Sequence, residues 1–241
     1  MKVLLSFVFG ATLCNVYGLT LPSYMKQCSI SDPNVNECFK TSGNNALESV
    51  LKGDRKYKII KMNPLELPKV DLNSGGTFTM SLKDAVIKNL KSTKILNANI
   101  QANHWEFEVS IDPMIIESQY EINGRILILP ITGNGPSKIT LEKGIYSYVV
   151  DLKTIEKKGV EYLAIDKSNL EAKLGHVRFH FENLFNGDKR LGDQMNTFVN
   201  ENWEEFLKEL YPAMVKIMRT IVDNTITGYF STIPKKDVYA A

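Results

Sequence analysis

Histidine, the side chain most often used for metal binding and proton transfer near neutral pH, is scarce in this chain. The three histidines lie at positions 104, 176 and 180. His176 and His180 would share one face of a β-strand with Arg178 between them, and the positive charge of Arg178 would repel a metal ion. We interpret both histidines as exposed strand residues, and the sequence predicts no metal site.

Other signatures of catalysis are missing from the sequence. It contains no Gly-x-Ser-x-Gly nucleophile turn, no His-Glu-x-x-His and no phosphate-binding loop. The carboxylate pairs Glu106 with Glu108 and Glu204 with Glu205 fall opposite apolar positions, which is typical of solvated surface charges. Because general acid catalysis needs a shifted pKa in a cleft, the sequence predicts that the protein is not an enzyme and needs no cofactor.

Composition and net charge indicate a globular protein and exclude a nucleic-acid-binding protein. The 241 residues are 44% hydrophobic and 23% charged, a balance typical of a globular protein. A formal net charge of +2 is too small to hold a nucleic acid. We interpret the one basic run as a solvated loop, with docking to anionic lipid headgroups as the alternative. This run contains Lys52, Arg55, Lys56, Lys58 and Lys61.

Residues 1–18 have the pattern of a secretory signal peptide. Lys2 precedes an apolar run over residues 3–9, and the segment ends at Val16-Tyr17-Gly18. The run is shorter than the roughly 20 residues that cross a membrane, so we expect a secreted, extracellular protein with no stable membrane insertion. Residues 19–241 contain no linker and are predicted to form one domain.

Two cysteines, Cys28 and Cys38, follow the predicted leader, which itself carries Cys14. In an oxidising compartment such an even pair is typical of a disulfide bond. Two sulfurs are too few for a cysteine zinc site, and their spacing is not that of a redox motif. The sequence therefore predicts a disulfide that pins the N-terminal arm to the first helix.

Periodicity predicts one short helix and then antiparallel strands. Asp32-Pro33 is typical of a helix start, and this helix is expected to end near Leu51. Two prolines make residues 63–68 extended. Strands are predicted over residues 70–132, most clearly at His104–Ile111, where polar and apolar residues alternate.

Three local features of the strand region give further expectations. Residues 126–129 are apolar on both faces, which predicts a strand covered on both sides. The apolar phase shifts by one residue at Gly175, which predicts a β-bulge. Hairpin turns are expected at Asn123-Gly124, at Lys158-Gly159 and in the loop 133–136.

From Leu191 to Phe230 the apolar period is that of an amphipathic helix, which Pro212 is expected to kink. A helix of that length spans roughly 60 Å, whereas a compact domain of this size is about 45 Å across. We therefore predict an elongated α+β fold, in which a long curved antiparallel sheet wraps one long C-terminal helix.

Aromatic and methionine side chains on the inner faces of this helix and of the strands are the candidate ligand-binding residues. A packed core is the simplest interpretation of them, but a sheet around one helix could also leave an interior tube. The candidates are Trp105, Phe107, Tyr148, Tyr162, Phe179, Trp203, Phe206, Met214 and Met218.

Several motifs resemble those of the insect takeout and juvenile hormone-binding protein family, over essentially the whole chain after the leader. The cysteine pair that flanks Asp32-Pro33 is one of them. The others are Asp112-Pro113, Gly133-Asn134-Gly135, Leu184-Phe185-Asn186-Gly187-Asp188-Lys189, Leu191-Gly192-Asp193, Asn196, and Asn200-Glu201-Asn202-Trp203 leading into Pro212.

The resemblance implies a tubular lipid-binding fold and a secreted carrier of small lipophilic molecules, with juvenile hormones, other terpenoids and fatty molecules as the ligand class. The single cysteine pair is similar to the takeout-like branch. Feeding, circadian output and chemosensation are processes associated with the family. A membrane-associating lipid-transfer protein is the alternative function, and a hormone esterase is disfavoured because the nucleophile motif is missing.

Overall fold

The computed structural model describes residues 18–72, 78–126 and 128–240. Residues 1–17 of the predicted leader lie outside the described residues. The described helices are α1 (Val35–Lys52), α2 (Lys189–Glu201) and α3 (Trp203–Phe230). The described strands are β1 (Cys28–Ser29), β2 (Leu65–Asp71), β3 (Phe78–Lys88), β4 (Lys94–Gln101), β5 (His104–Ile111), β6 (Met114–Ile126), β7 (Leu129–Glu142), β8 (Gly144–Lys157), β9 (Val160–Lys173), β10 (His176–Phe181) and β11 (Tyr239–Ala240).

The long strands form two antiparallel sheets that continue into each other. One sheet has the order β10-β7-β6-β3-β2 and the other has the order β4-β5-β8-β9. The chain passes between them from β3 to β4, from β5 to β6, from β7 to β8 and from β9 to β10. Since these pairs hold matching places in the two sheets, each pair continues one strand line across both sheets, through a bend or, between β3 and β4, through a short 3-10 helix at Leu90–Ser92. The predicted long, curved antiparallel sheet is therefore confirmed.

The bends line up as a seam across the sheet. Asn89 and Lys143 lie in the left-handed region, with φ of 65° and 51°, which interrupts the strand geometry there. The Lys143 amide donates to the Asp112 carboxylate at 2.8 Å, and the Gly175 amide donates to the carbonyl of Glu142 at 3.0 Å. The predicted β-bulge at Gly175 is wrong, because the phase shift marks the passage from β9 into β10.

Only one of the three expected hairpin turns is confirmed, at Lys158-Gly159 between β8 and β9. Asn123-Gly124 lies inside β6 and residues 133–136 lie inside β7, and these strands pair along their whole length. Gly133 leaves room for close packing, since a Cβ there would lie 2.7 Å from the Tyr120 hydroxyl oxygen. The glycines therefore allow two strands to pack instead of turning the chain.

The actual β6–β7 turn falls within residues 126–129. The prediction of a covered strand there is wrong, since Ile128 is 86% exposed at the hairpin tip. The two ends of this apolar run reach the core, since Ile126 is buried and Leu129 is partly buried against it.

The helical predictions are confirmed with one change. α1 begins and ends within about two residues of the expected positions, and helix covers the expected C-terminal region. That region is divided at Asn202, whose backbone is not helical (φ −115°, ψ 36°), and α3 continues through Pro212. The division falls at Asn202 because its side-chain amide donates to the Phe198 carbonyl and its backbone leaves the helical region.

Helix α2 covers the edge strand β10 with two asparagine side chains. The Asn200 amide accepts from the backbone N–H of Phe179 at 2.9 Å and donates to its carbonyl at 2.7 Å. Asn196 makes the same pair of bonds with Phe181, both at 2.9 Å. Since an unpaired strand edge exposes backbone donors and acceptors, these amides complete the sheet without another strand.

The predicted disulfide between Cys28 and Cys38 is confirmed and joins β1 to α1. β1 pairs in parallel with β11, so the N-terminal arm and the C-terminus meet beside α1. Among the described residues, no helix has both the length and the apolar character needed to cross a membrane.

Candidate functional site

Three apolar cavities lie in a row along the inner face of α3. The end cavity, of about 250 Å³, lies beside Trp105 and Phe230. The central cavity, of about 290 Å³, lies beside Tyr146 and Val222. The far cavity, of about 80 Å³, lies beside Phe179.

Shared side chains show that these cavities are neighbours. Val50, Phe107 and Ile226 line both the end and the central cavity. Met218 and Ile221 line both the central and the far cavity. Because single side chains separate one cavity from the next, the row forms one interrupted apolar interior.

Two helices and both sheets build the walls of this interior. α3 presents apolar residues over successive turns, and α1 contributes Leu47, Val50 and Leu51, which share one helix face. β5 contributes Phe107 and Val109 to the central cavity. The described charged side chains do not line these cavities, apart from Lys26 at the end cavity.

Four polar side chains line the central cavity, and three of them have partners. Thr93 and Thr225 donate to nearby backbone carbonyls at 2.6 Å and 2.8 Å, and Tyr148 donates to Asp223 at 2.6 Å. The Tyr146 hydroxyl has no hydrogen-bond partner among the described residues, although Tyr146 is only 4% exposed. An unpaired hydroxyl at such a depth is costly, and Tyr146 is the one of these four side chains that has no partner among the described residues.

Burial raises the pKa of the Tyr146 and Tyr148 hydroxyls. The charge of Asp112 contributes less than burial to the raised pKa of Tyr146. The hydrogen bond with Asp223 adds to the effect of burial on the pKa of Tyr148. Both hydroxyls therefore keep their protons at neutral pH and act as hydrogen-bond donors.

The structure brings six of the nine candidate ligand-binding residues to this row of cavities. Trp105 and Phe107 line the end cavity, and Phe107 and Tyr148 line the central cavity. Phe179 and Met214 line the far cavity, and Met218 lines both the central and the far cavity.

The other three candidates, Tyr162, Trp203 and Phe206, lie outside the three cavities. Phe206 is fully buried and packs edge-to-face on Phe179, with ring centroids 4.7 Å apart. Trp203 packs near the surface on His176, with ring centroids 5.2 Å apart. Ring packing therefore encloses Phe206, whereas Trp203 lines a separate, open pocket of about 390 Å³ with Leu174 and Pro212, outside the row of cavities.

Sequence reasoning missed the α1 residues and Tyr146 as wall residues. The sequence did contain the pattern that predicts them, since Leu47 and Val50 have the spacing of residues on one helix face. Tyr146 is two residues before Tyr148 on β8, so the alternation that selected Tyr148 applies equally to Tyr146.

A long antiparallel sheet bent along one helix, with an apolar interior, defines a tubular lipid-binding fold. The sequence profile of the haemolymph juvenile hormone binding protein family matches residues 3–240. The chain belongs to this family.

Its relatives agree with the family and with the fold. The circadian clock-controlled protein daywake of Drosophila melanogaster is 21% identical over 238 residues, covering 90% of this chain and 88% of daywake. Daywake of Drosophila yakuba is also 21% identical, over 91% of this chain and 88% of its own length. The crystal structure of takeout 1 from Epiphyas postvittana superposes with a TM-score of 0.80 at 25% identity, covering 90% of this chain and all of takeout 1. The predicted resemblance to the takeout and juvenile hormone-binding family is confirmed.

Proposed function

We propose that the protein is a secreted carrier that holds one small, elongated hydrophobic molecule inside the row of cavities along α3. The observation that carries this proposal is the unfilled apolar space beside the inner face of α3, about 290 Å³ in the central cavity. Ligand sites of small molecules are typically 300–1,000 Å³ and mostly apolar. The central cavity with its two neighbours falls in that class.

The ligand class follows from the cavity walls. A terpenoid such as a juvenile hormone, a fatty acid or another lipid has the length and the apolar surface to span neighbouring cavities. Burial of roughly 400 Å² of apolar ligand surface gains about 10 kcal/mol before the costs of association. Apolar contact therefore supplies most of the affinity.

Tyr146 would orient the ligand. Tyr146 is a wall residue of the central cavity, and its hydroxyl has no partner among the described residues, so a ligand oxygen that reaches it would accept its hydrogen bond. Because the walls offer so few polar groups, this bond would select among ligands by the position of their carbonyl, ether or carboxyl oxygen.

Secretion and domain organisation belong to the same proposal. The disulfide between Cys28 and Cys38 is typical of an extracellular protein. Residues 1–18 would be removed as the leader, and residues 19–241 would form one ligand-binding domain. The carrier needs no catalytic residue or cofactor.

Native mass spectrometry of protein secreted from insect cells tests the proposal. We expect one apolar molecule per chain, which organic extraction would release for identification. An empty protein that also takes up no terpenoid, fatty acid or quinone would overturn the proposal. Hydrolysis of a farnesoid methyl ester by the purified protein would contradict the non-enzymatic assignment.

A further inference from the structure

A groove of about 600 Å³ opens on the outer side of α3, beside the edge strand β2. We call it the lateral groove. Leu67 of β2 and Ile217 and Ile221 of α3 line it, and the same three side chains line the far cavity. These side chains lie between the groove and the far cavity, so the two are neighbours across one layer of side chains.

One rim of the lateral groove is built by residues 54–61, which we call the basic segment. Lys58, Ile59 and Ile60 of this segment line the groove. The segment carries four exposed cations, and none of them has a carboxylate partner among the described residues. Its one carboxylate, Asp54, already accepts bonds from Tyr24 and from the Lys56 amide. The four cations are Arg55, Lys56, Lys58 and Lys61.

An apolar side chain projects from the same rim. Ile60 is 58% exposed and lies between Lys58 and Lys61 in the chain. The segment is held firmly on α3, since a Cβ on Gly228 would lie only 2.6 Å from the carbonyl oxygen of Tyr57. The rim thus combines fixed backbone, unpaired positive charge and an exposed apolar residue.

Lys58 and Lys216 line the groove together with the carboxylate of Asp71, which is already ion-paired with Lys69. Lys216 lies 12 residues before Gly228 on α3, which is about 18 Å of helix. The Lys58 carbonyl lies beside Gly228, 3.5 Å from where its Cβ would be. Cations that stand on two different elements of the groove suit the many headgroups of a surface better than the single carboxylate of one ligand.

We propose that the basic segment docks the lateral groove onto an anionic lipid bilayer, and that hydrophobic ligands enter the cavities from the bilayer between β2 and α3. This inference rests on the proposed carrier function. Lys and Arg near an anionic surface are attracted to it, and an exposed apolar side chain enters the interface. The attraction is local, because the whole chain has a net charge of only +2.

Vesicle flotation tests the docking. We expect the protein to float with phosphatidylcholine vesicles that contain phosphatidylserine at low salt, to dissociate as salt is raised, and not to float with phosphatidylcholine alone. In the variant K56Q/K58Q/K61Q we expect at least a tenfold weaker partition into anionic vesicles. The control K158Q/K167Q/K173Q removes the same charge from exposed positions at the β8–β9 turn and along β9, and we expect it to bind like the natural protein.

A second pair of variants tests the apolar contact. Ile60→Ser is expected to weaken partition several-fold, whereas Ile128→Ser, which removes an even more exposed isoleucine at the β6–β7 tip, is expected to have no effect. If Ile128→Ser weakens partition and Ile60→Ser does not, docking occurs at the hairpin tip and the proposal is wrong.

Binding of dansyl undecanoic acid in solution, without vesicles, separates this inference from the carrier function. We expect K56Q/K58Q/K61Q to keep the affinity of the natural protein for this probe but to take it up more slowly from anionic vesicles. No flotation with anionic vesicles, or equal losses in both triple variants, would overturn the docking while leaving the carrier function intact. A loss of affinity for the free acid without a change in flotation would assign the lysines to a ligand carboxylate instead.

Discussion

The Tyr148 hydroxyl donates a hydrogen bond to one oxygen of the Asp223 carboxylate at 2.6 Å. Ser168 donates to the other oxygen at 2.9 Å. Through these bonds β8 and β9 are tied to α3 beside the central cavity. Both carboxylate oxygens are occupied, so this polar cluster holds the cavity wall in place. Tyr146, on the same strand as Tyr148, has no hydrogen-bond partner among the described residues.

Tyr148→Phe is expected to lower the free energy of unfolding by about 1–3 kcal/mol, because Asp223 loses a donor in a partly buried position. Urea denaturation measures the change. Tyr162→Phe makes the same chemical change at a hydroxyl outside the cavities, and we expect an effect within about 0.5 kcal/mol. Equal effects of the two variants would show that the bond to Asp223 does not stabilise the wall.

Tyr146→Phe is expected to increase stability, whereas Tyr148→Phe decreases it. Removal of an unpaired buried hydroxyl should raise the free energy of unfolding of the empty protein by about 1 kcal/mol. The same variant should weaken binding of an oxygen-bearing ligand about tenfold and leave a hydrocarbon of equal length unaffected. Thermal denaturation and ligand titration provide both readouts, and a less stable empty variant would show that the hydroxyl already has a partner.

Met218→Trp is expected to fill the boundary between the central and far cavities. We expect ligand affinity to fall at least tenfold, while overpacking costs about 1–3 kcal/mol of stability. Phe206→Leu, in the packed ring cluster, should cost about 1–2 kcal/mol of stability and leave ligand affinity unchanged. Loss of ligand binding in Phe206→Leu alone would move the site away from the cavities.

His104 is expected to titrate above its ordinary pKa of about 6.5. Its ring hydrogen-bonds to Glu106 at 3.0 Å and to Asp151 at 2.6 Å, and these bonds raise the pKa of His104. Because the pKa of His104 is raised, its bonds to the two carboxylates stabilise the fold fully below about pH 6.5. This stabilisation is lost as the pH rises through the pKa of His104 in the folded protein.

Proton NMR titration measures the pKa of His104 directly. In Glu106→Gln the neutral amide replaces the carboxylate, so we expect the pKa of His104 to move back towards 6.5. An unchanged pKa in this variant would show that Asp151 alone sets the value.

Local patterns determined much of the fold. The alternation at His104–Ile111 defined β5 at both ends, and the apolar period after Leu191 defined the C-terminal helical region. The pair Cys28 and Cys38 was sufficient to predict the disulfide, because few other partners exist for either sulfur. These features depend on residues close in sequence, whose spacing fixes which face of an element is apolar.

Gly175 and residues 126–129 were misassigned because their roles depend on distant parts of the chain. A phase shift at Gly175 is compatible with a bulge or with a passage between sheets, and only the pairing of β10 with β7 distinguishes the two.

The candidate site was also predictable in part from local patterns and in part only from the tertiary structure. Periodicity placed Phe107, Phe179 and Phe206 on inner faces, but it could not say which of them border empty space. Phe206 is enclosed by other rings, whereas Phe107 borders two cavities and Tyr146 is left without a hydrogen-bond partner. The sequence alone thus determined which faces of most helices and strands are apolar. Only the tertiary structure decided where these faces leave space, because a cavity depends on how elements far apart in the chain pack together.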